Sequence, residues 1–119
     1  MKFTEEHEWL RLENDVVVVG ITEHATTQLG DIVFVELPEV GATVTKDEEI
    51  VVIESVKAAS DIMAPIDGEI VEVNTTLSDN PALANEDALG AGWFFKIKPS
   101  DLSQMDGYMD ETAYNALIA

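Results

Sequence analysis

The chain contains no cysteine, and only six of its 119 residues are lysine or arginine. Without cysteine there is no disulfide bond, no thiol nucleophile and no cysteine-ligated zinc, a composition that fits a reducing compartment. Long hydrophobic runs are also missing. Apolar runs such as residues 16–19 are far too short to cross a bilayer, and the first residues lack the apolar segment of a secretion signal. We therefore expect a cytoplasmic protein without a membrane-spanning segment.

The few basic residues are outnumbered by 24 acidic ones, which gives the chain a formal charge of −18. Such a field repels nucleic acid phosphates and anionic lipid headgroups, so we expect neither nucleic acid nor a membrane as a partner. The charge is compatible with simple solubility and also with electrostatic steering towards basic partner surfaces. Composition alone does not choose between these two interpretations.

The length and the hydrophobic content predict one folded domain over residues 1–119. Hydrophobic residues make up 46% of the chain and charged residues 25%, which is typical of a globule and not of a disordered acidic segment. Five short segments rich in β-branched and aromatic residues are separated by Gly, Pro, Asn and Asp, and they predict an antiparallel β domain. These predicted strands are residues 16–21, 32–37, 50–56, 69–74 and 93–97.

Capping signals predict a short helix between the first two strands. Thr22 is a good N-cap residue, and Gly30 is a good residue to follow the helix end, so the helix should cover residues 22–29.

A second helical region is predicted at the C-terminus. Asp101 and Gln104 have the spacing of a capping box, and Asp110 precedes a stretch in which apolar residues repeat at four-residue spacing. We expect a sandwich core over about residues 16–99 and a helical segment over about residues 100–119 that packs on the sheet.

Two stretches that begin at Gly30 and Gly68 resemble each other, since each has glycine, an acid, isoleucine and valine in that order. The similarity favours two related half-domains packed face to face, although two β segments can share so short a pattern by chance. If the repeat is real, Lys57 lies where the two copies join. Such a join is expected at an exposed hairpin turn.

Lys57 stands alone among small residues, directly before residues 58–60, which are Ala, Ala and Ser. The ordinary explanation is a surface lysine that caps a hairpin and keeps it soluble. However, the small neighbours leave the amine accessible, and an ε-amine on its four-carbon stem can be acylated and carry a group on a flexible arm. A Schiff-base lysine is usually desolvated, whereas Glu54 and Asp61 stand near this one. The pattern therefore favours a group carrier.

No other constellation of catalytic residues is evident. His7 and His24 lack the spacing of a metal-binding pair on a helix, so we expect no metal site and a hydrogen-bonding structural role for each. The sequence also lacks a nucleophile elbow, a phosphate-binding loop and a dinucleotide fingerprint. We expect the chain to carry chemistry that other proteins perform, and not to be an enzyme.

Seven stretches, in register over nearly the whole chain, closely resemble the H proteins of the glycine cleavage system. They are residues 7–9, 20–22, 29–41, 54–61, 64–65, 68–74 and 92–99. Biotinyl carriers set their lysine between two methionines, whereas Val56 and Ala58 flank Lys57 here. Lipoyl domains of 2-oxo acid dehydrogenases share the hairpin lysine but lack the first stretch and the C-terminal helices.

The resemblance implies a mainly β, lipoyl-type hybrid barrel-sandwich with one lipoic acid attached covalently to Lys57. In this family a pyridoxal-phosphate glycine decarboxylase transfers the aminomethyl group of glycine to the carrier. A tetrahydrofolate-dependent aminomethyltransferase then accepts the carbon, and dihydrolipoyl dehydrogenase reoxidises the carrier. A lipoate ligase or a lipoyl/octanoyl transferase would attach the cofactor, and we expect a monomer. The resemblance also implies that Glu8 and Asp61 hold the amine of the loaded arm in a surface cleft.

Two positions depart from the commonest family pattern. Asn14 and Asp47 stand where glycine is usual, and both residue types tolerate a left-handed backbone better than most. Two alternatives to a carrier in glycine cleavage stay open. One is a relay that hands lipoate to other enzymes, and the other is an acidic interaction module whose lysine is never modified.

Overall fold

The computed structural model describes all residues, 1–119, and shows a mainly β protein built from two antiparallel sheets. The nine strands are β1 (Lys2–Phe3), β2 (Glu8–Glu13), β3 (Val16–Ile21), β4 (Ile32–Glu36), β5 (Thr43–Val44), β6 (Glu49–Ser55), β7 (Ala59–Met63), β8 (Gly68–Val73) and β9 (Phe95–Pro99). The larger sheet has the order β1-β2-β3-β9-β8-β5, and the smaller has the order β4-β6-β7. This arrangement confirms the predicted barrel-sandwich class.

Short helices connect and cover the strands. They are α1 (Glu23–Leu29), α2 (Thr76–Asp79), α3 (Leu83–Glu86) and α4 (Glu111–Ile118), with a 3₁₀ helix at Leu102–Gly107. None of these helices has the length and apolar character needed to span a membrane.

The apolar core lies between the two sheets. Strand β3 is buried on both of its faces, which explains the unbroken run of valines in the sequence of this predicted strand. Val17 and Val19 face the main core, whereas Val18 points to the opposite face and packs in a second cluster with Phe3 and Trp9. Because side chains alternate between faces along a strand, a strand buried on both sides has no polar positions.

The second cluster is completed by the C-terminal helix. Tyr114 of α4 stacks on Phe3, with 4.6 Å between the ring centroids. The backbone N–H of Phe3 donates to Met109 O at 2.8 Å. The prediction that the C-terminal segment packs on the sheet is therefore confirmed, but it packs on β1, which the sequence pattern does not predict.

Each of the five predicted segments overlaps a strand, with the last strand shifted to Phe95–Pro99. Strands β1, β2, β5 and β7 are not predicted by the pattern. The core therefore extends to the N-terminal side of residue 16, because Phe3, Trp9 and Leu10 are all buried.

The predicted N-cap of the first helix is confirmed. The Thr22 hydroxyl accepts a hydrogen bond from Ala25 N–H at 3.3 Å. Gly30 ends the helix with a φ of 77°, and its N–H donates to Thr26 O at 2.9 Å. Asp110 caps α4 in the same way, through Ala113 N–H at 2.8 Å.

The predicted capping box at residues 101–104 is wrong. The Asp101 carboxylate accepts from Ser103, but the side chain of Gln104 turns away and pairs with Asp67 instead. That partner is distant in sequence, so a tertiary contact replaces the local one.

The two predicted left-handed positions are confirmed, since φ is 55° at Asn14 and 72° at Asp47. The two similar stretches lead into β4 and β8, which pair antiparallel with β6 and β9, one pair in each sheet. This pairing fits two related half-domains, with Lys57 directly after the first pair.

Candidate functional site

Lys57 lies at the tip of the β6–β7 hairpin, where the sequence predicts it. Strand β6 ends at Ser55 and β7 begins at Ala59, and Val56, Lys57 and Ala58 between them are all exposed. The ion pairs of the molecule lie elsewhere, in Arg11–Glu13 and Lys96–Glu72. The Lys57 amine therefore has solvent and no carboxylate as its immediate partner.

Ser55 holds the backbone of the tip. Its hydroxyl accepts the N–H of Lys57 at 3.3 Å and that of Ala58 at 3.1 Å, and it lies 2.9 Å from Ala58 O, to which it donates. The N–H of Ser55 also donates to Ala58 O, at 2.8 Å. Serine and threonine hydroxyls stabilise turns through such local bonds, so the position of this serine was a usable signal that sequence reasoning missed.

The end of α1 supports one side of the tip. The N–H of Val56 donates to Asp31 O at 3.0 Å. A Cβ atom added to Gly30 would lie 3.3 Å from Cε of Lys57 and 3.3 Å from a methyl group of Val56. Gly30 therefore has two functions, because it ends the helix in a left-handed conformation and leaves room for the lysine stem.

Asn85 of α3 holds this supporting segment. Its side-chain oxygen accepts from Ile32 N–H at 2.9 Å, and its side-chain nitrogen donates to Gly30 O at 2.9 Å. One side-chain amide thus fixes the backbone on both sides of Asp31, whose carbonyl oxygen accepts the N–H of Val56 in the hairpin tip. Sequence reasoning missed Asn85, and no local signal marks it, since its partners lie far away in the chain.

Glu8, the first acid implied by the family resemblance, is buried with 4% of its surface exposed. Its carboxylate accepts from the Thr4 hydroxyl at 3.2 Å and from Met63 N–H at 3.3 Å. Burial raises the pKa of Glu8 to about 7. The two hydrogen bonds oppose this rise in pKa, whereas the charges of Glu6 and Asp47 add to it. Near neutral pH this carboxyl is thus divided between its neutral and ionised forms.

Two structural elements connect the hairpin tip with Glu8. The N-cap of α1 is Thr22, whose N–H donates to His7 O at 2.9 Å, and the C-cap is Gly30, which lies beside Lys57. Strand β7 begins after the tip and ends at Met63, whose N–H donates a hydrogen bond to the Glu8 carboxylate. With a rise of about 3.3 Å per residue, β7 spans roughly 13 Å. A contact between Glu8 and an arm attached to Lys57 stays a prediction.

Asp61, the second acid implied by the resemblance, is exposed on β7 and pairs with Val52 of β6. It lines a shallow cleft together with Glu36, Leu37, Pro38, Glu39 and residues 49–52. Glu8 does not line this cleft, and no hydrogen bond joins the two acids. A pocket shared by both acids stays a prediction.

The two histidines lie together near the start of α1. Their ring centroids are 4.6 Å apart, and Nδ1 of His7 is hydrogen-bonded to the Tyr114 hydroxyl at 2.8 Å. That hydroxyl also lies 2.7 Å from the hydroxyl of Thr22. Burial and then the charge of His24 lower the pKa of His7. His7 thus has the structural hydrogen bond expected for it.

Three comparisons relate the chain to known proteins. The sequence profile of the family described as Glycine cleavage H-protein matches residues 1–119. The glycine cleavage system H protein of Escherichia coli O7:K1 (strain IAI39 / ExPEC) is 59% identical over 119 residues, which cover 99% of this chain and 92% of that protein. The crystal structure of a glycine cleavage system H protein from Mycobacterium marinum matches with a TM-score of 0.89 at 40% identity, covering 97% of this chain and 93% of the other.

Proposed function

The chain belongs to the glycine cleavage H-protein family, and we propose that it carries lipoic acid on Lys57 and shuttles the aminomethyl group of glycine. Members of this family are carrier subunits of the glycine cleavage system and are not themselves catalytic. The proposed partners are the pyridoxal-phosphate glycine decarboxylase, the tetrahydrofolate-dependent aminomethyltransferase and dihydrolipoyl dehydrogenase. A lipoate ligase or a lipoyl/octanoyl transferase would attach the cofactor.

The observation that carries the proposal is the exposed amine of Lys57 on a backbone tip that is held in place. An acyl acceptor must be reachable, and Lys57 projects from the tip with no carboxylate paired to it. The hydrogen bonds of Ser55 and the hydrogen bond from Val56 N–H to Asp31 O fix the backbone of the tip. The enzyme that attaches the cofactor therefore meets one backbone conformation. A preorganised site lowers the entropy lost on binding.

The residues near Lys57 fit a lipoyl arm. Gly30 leaves space along the lysine stem, and Ala58 and Ala59 add little bulk beside it. Bound lipoate would supply a dithiolane that accepts the aminomethyl group and is reduced as it does so. The protein supplies the attachment point, the orientation and the surfaces for its partners.

Glu8 and Asp61 are proposed to hold the amine of the loaded arm. That amine is cationic when protonated, and a hydrogen bond between charged groups contributes about 1.5–3 kcal/mol when solvent is partly excluded. The burial of Glu8 provides such an environment, whereas Asp61 is exposed and would contribute less. The empty arm has no ammonium group to bind.

Intact mass measurement tests the attachment site. Protein from lipoate-replete cells should carry one lipoyl adduct, confined to the peptide that contains Lys57. The Lys57→Arg variant should fold normally and carry none, because a guanidinium group is a far poorer acyl acceptor than an amine. Lys98→Arg, at an exposed lysine of β9, is the matched control and should be modified like the wild type.

Two outcomes would contradict the proposal. An unmodified wild-type protein would favour the acidic interaction module, and an unfolded Lys57→Arg variant would indicate a structural lysine. Reconstitution with the glycine decarboxylase distinguishes a carrier in glycine cleavage from a relay that hands lipoate to other enzymes. A carrier in glycine cleavage supports glycine-dependent release of carbon dioxide, whereas a relay passes its lipoyl group to a second acceptor protein.

A further inference from the structure

Three apolar side chains near Lys57 are exposed to solvent. The exposed fraction is 56% for Val33, 44% for Phe34 and 65% for Val56. The register of β4 and β6 brings them to one region, because Ile32 pairs with Ser55 at the base of the tip and Phe34 pairs with Glu54. An apolar patch therefore adjoins the lysine.

A β-bulge creates this patch. Side chains of neighbouring residues in a regular strand point to opposite faces, so Val33 and Phe34 should not both be exposed. The register shifts between Ile32 and Phe34, and Ile32 and Val35 on either side remain buried. Bulges redirect side chains and are common beside functional sites. The fold thus turns two adjacent apolar residues outward close to the tip.

Acidic residues flank the patch. Asp31, Glu36 and Glu54 are exposed, and none of them takes part in an ion pair. Lys57 is the only basic residue on β4, β6, β7 or the tip between them. A partner that covers this region therefore meets an apolar patch flanked by negative charge.

We propose that Val33, Phe34 and Val56, with the flanking acids Asp31, Glu36 and Glu54, form the docking surface for the enzyme that acylates Lys57. The proposal rests on the proposed lipoylation of Lys57. The complementary enzyme surface would have an apolar depression bordered by Lys or Arg side chains. We will call these six residues of the carrier the bulge surface.

The position of the bulge surface favours the acylating enzyme over the other partners. Acylation takes place at Nζ of Lys57, so this enzyme must bring its active site to the tip and cover the adjoining residues. Enzymes that act on the loaded arm do their chemistry at its far end, many bonds from Nζ, so that chemistry does not itself require them to cover the residues beside the tip. The apolar patch is small, as expected for an enzyme that must release its product. An exposed aromatic residue at its centre is a typical hot spot.

The test is lipoylation of the apo-protein by a purified lipoate ligase with ATP and lipoate, followed by mass measurement. The Val33→Thr, Phe34→Ser double variant should raise KM about tenfold and leave kcat nearly unchanged, since the chemistry at Nζ is untouched. Leu12→Ser is the control, because Leu12 is a similarly exposed apolar residue, 48% exposed, on β2 of the other sheet. It should behave like the wild type.

Binding of the ligase to the Lys57→Arg protein gives a readout that does not depend on acylation. The same double variant in that background should bind about tenfold more weakly. Replacing Asp31, Glu36 and Glu54 by their amides should slow association several-fold at low salt and make it less dependent on salt, because charge complementarity acts mainly on the association rate.

Three results would overturn the inference. Unchanged KM and binding in the double variant would show that the ligase docks elsewhere, while lipoylation of Lys57 and the proposed function would stand. Normal ligase binding together with impaired turnover by the decarboxylase would assign the surface to another partner. If the wild-type protein accepted no lipoyl group at all, the proposed function itself would fail, and this docking proposal with it.

Discussion

Replacing Glu8 by glutamine should change how the stability of the protein depends on pH. The wild-type carboxyl is buried, and its pKa rises from an ordinary value of 4.5 to about 7 in the folded protein. Its neutral form is therefore stabilised by folding, and its ionised form is destabilised. The amide of Glu8→Gln keeps a similar shape and cannot ionise, so it isolates the contribution of the charge.

The sign follows from proton linkage. Below pH 4.5 the carboxyl is protonated in both the folded and unfolded chains, and its full contribution to stability is present. As the pH rises from 4.5 to 7, only the unfolded chain loses the proton, so the free energy of unfolding falls, and the loss is complete above pH 7. One pKa unit corresponds to about 1.4 kcal/mol, so a rise of about 2.5 units corresponds to about 3 kcal/mol.

Urea unfolding at pH 5, 6, 7 and 8 measures this loss. Between pH 5 and 8 the wild type should lose about 2.5 kcal/mol relative to Glu8→Gln, somewhat less than the full value because the unfolded carboxyl is already mostly ionised at pH 5. The control is Glu5→Gln, since Glu5 is an exposed acid close to Glu8 in the chain and is not among the charges that raise the pKa of Glu8, and its profile should parallel that of the wild type. Parallel profiles for wild type and Glu8→Gln would refute the argument that burial controls this carboxyl.

The same titration should affect the loaded arm. Below pH 7 a protonated Glu8 cannot pair with the ammonium group of the arm, so the loaded form should decay faster there than at pH 8. In the Glu8→Gln, Asp61→Asn double variant the loaded form should decay faster than in the wild type at pH 8, while lipoylation of Lys57 stays intact. Equal decay in the two proteins would contradict the pocket assignment without affecting the attachment site.

Other substitutions test the support of the hairpin and the core. Asn85→Ala should lower the free energy of unfolding by about 1–3 kcal/mol and also slow lipoylation, because it frees the segment that supports the tip. Asn74→Ala, which removes an amide that bridges two carbonyls elsewhere, should destabilise similarly in urea unfolding but leave the lipoylation rate unchanged. Gly20→Ala would place a Cβ 2.6 Å from the Trp9 ring, so it should cost about 1–3 kcal/mol and alter tryptophan fluorescence. Ala58→Leu should slow lipoylation without changing stability, and an unchanged rate would contradict the idea that small residues provide access.

The strands that the sequence predicts are those whose apolar character is locally evident. Strand β3 is a run of valines, and β6 is rich in isoleucine and valine, so both are recognisable without knowledge of their neighbours. Strand β7 begins with three small or polar residues and has only two large apolar ones, Ile62 and Met63, so it is recognised as a strand only when β6 provides its hydrogen-bonding partner. Strand β2 mixes charged and apolar residues, and it is recognised only when β1 and β3 lie beside it.

The candidate site divides in the same way. Lys57 is recognised from the small residues that directly follow it in the chain. The cap of α1 is recognised in the same way, because Thr22 and Ala25 are only three positions apart. Glu8 was implied by a family resemblance, but nothing in the sequence indicates that it is buried or that its pKa is raised. Burial causes the raised pKa, and it depends on segments that pack around the carboxyl, such as the end of β7 at Met63, which comes from a different part of the chain.

The sequence alone thus determined the β class, the cap of α1 and the hairpin lysine, because these depend on interactions between residues a few positions apart. The tertiary structure alone decided the burial of Glu8, the support of the tip by Asn85 and the exposure of Phe34 through a bulge. Hydrogen-bond partners and solvent exclusion in these places come from segments that are distant in the chain. Local propensity carries no information about which distant segments meet, so only the folded packing supplies it.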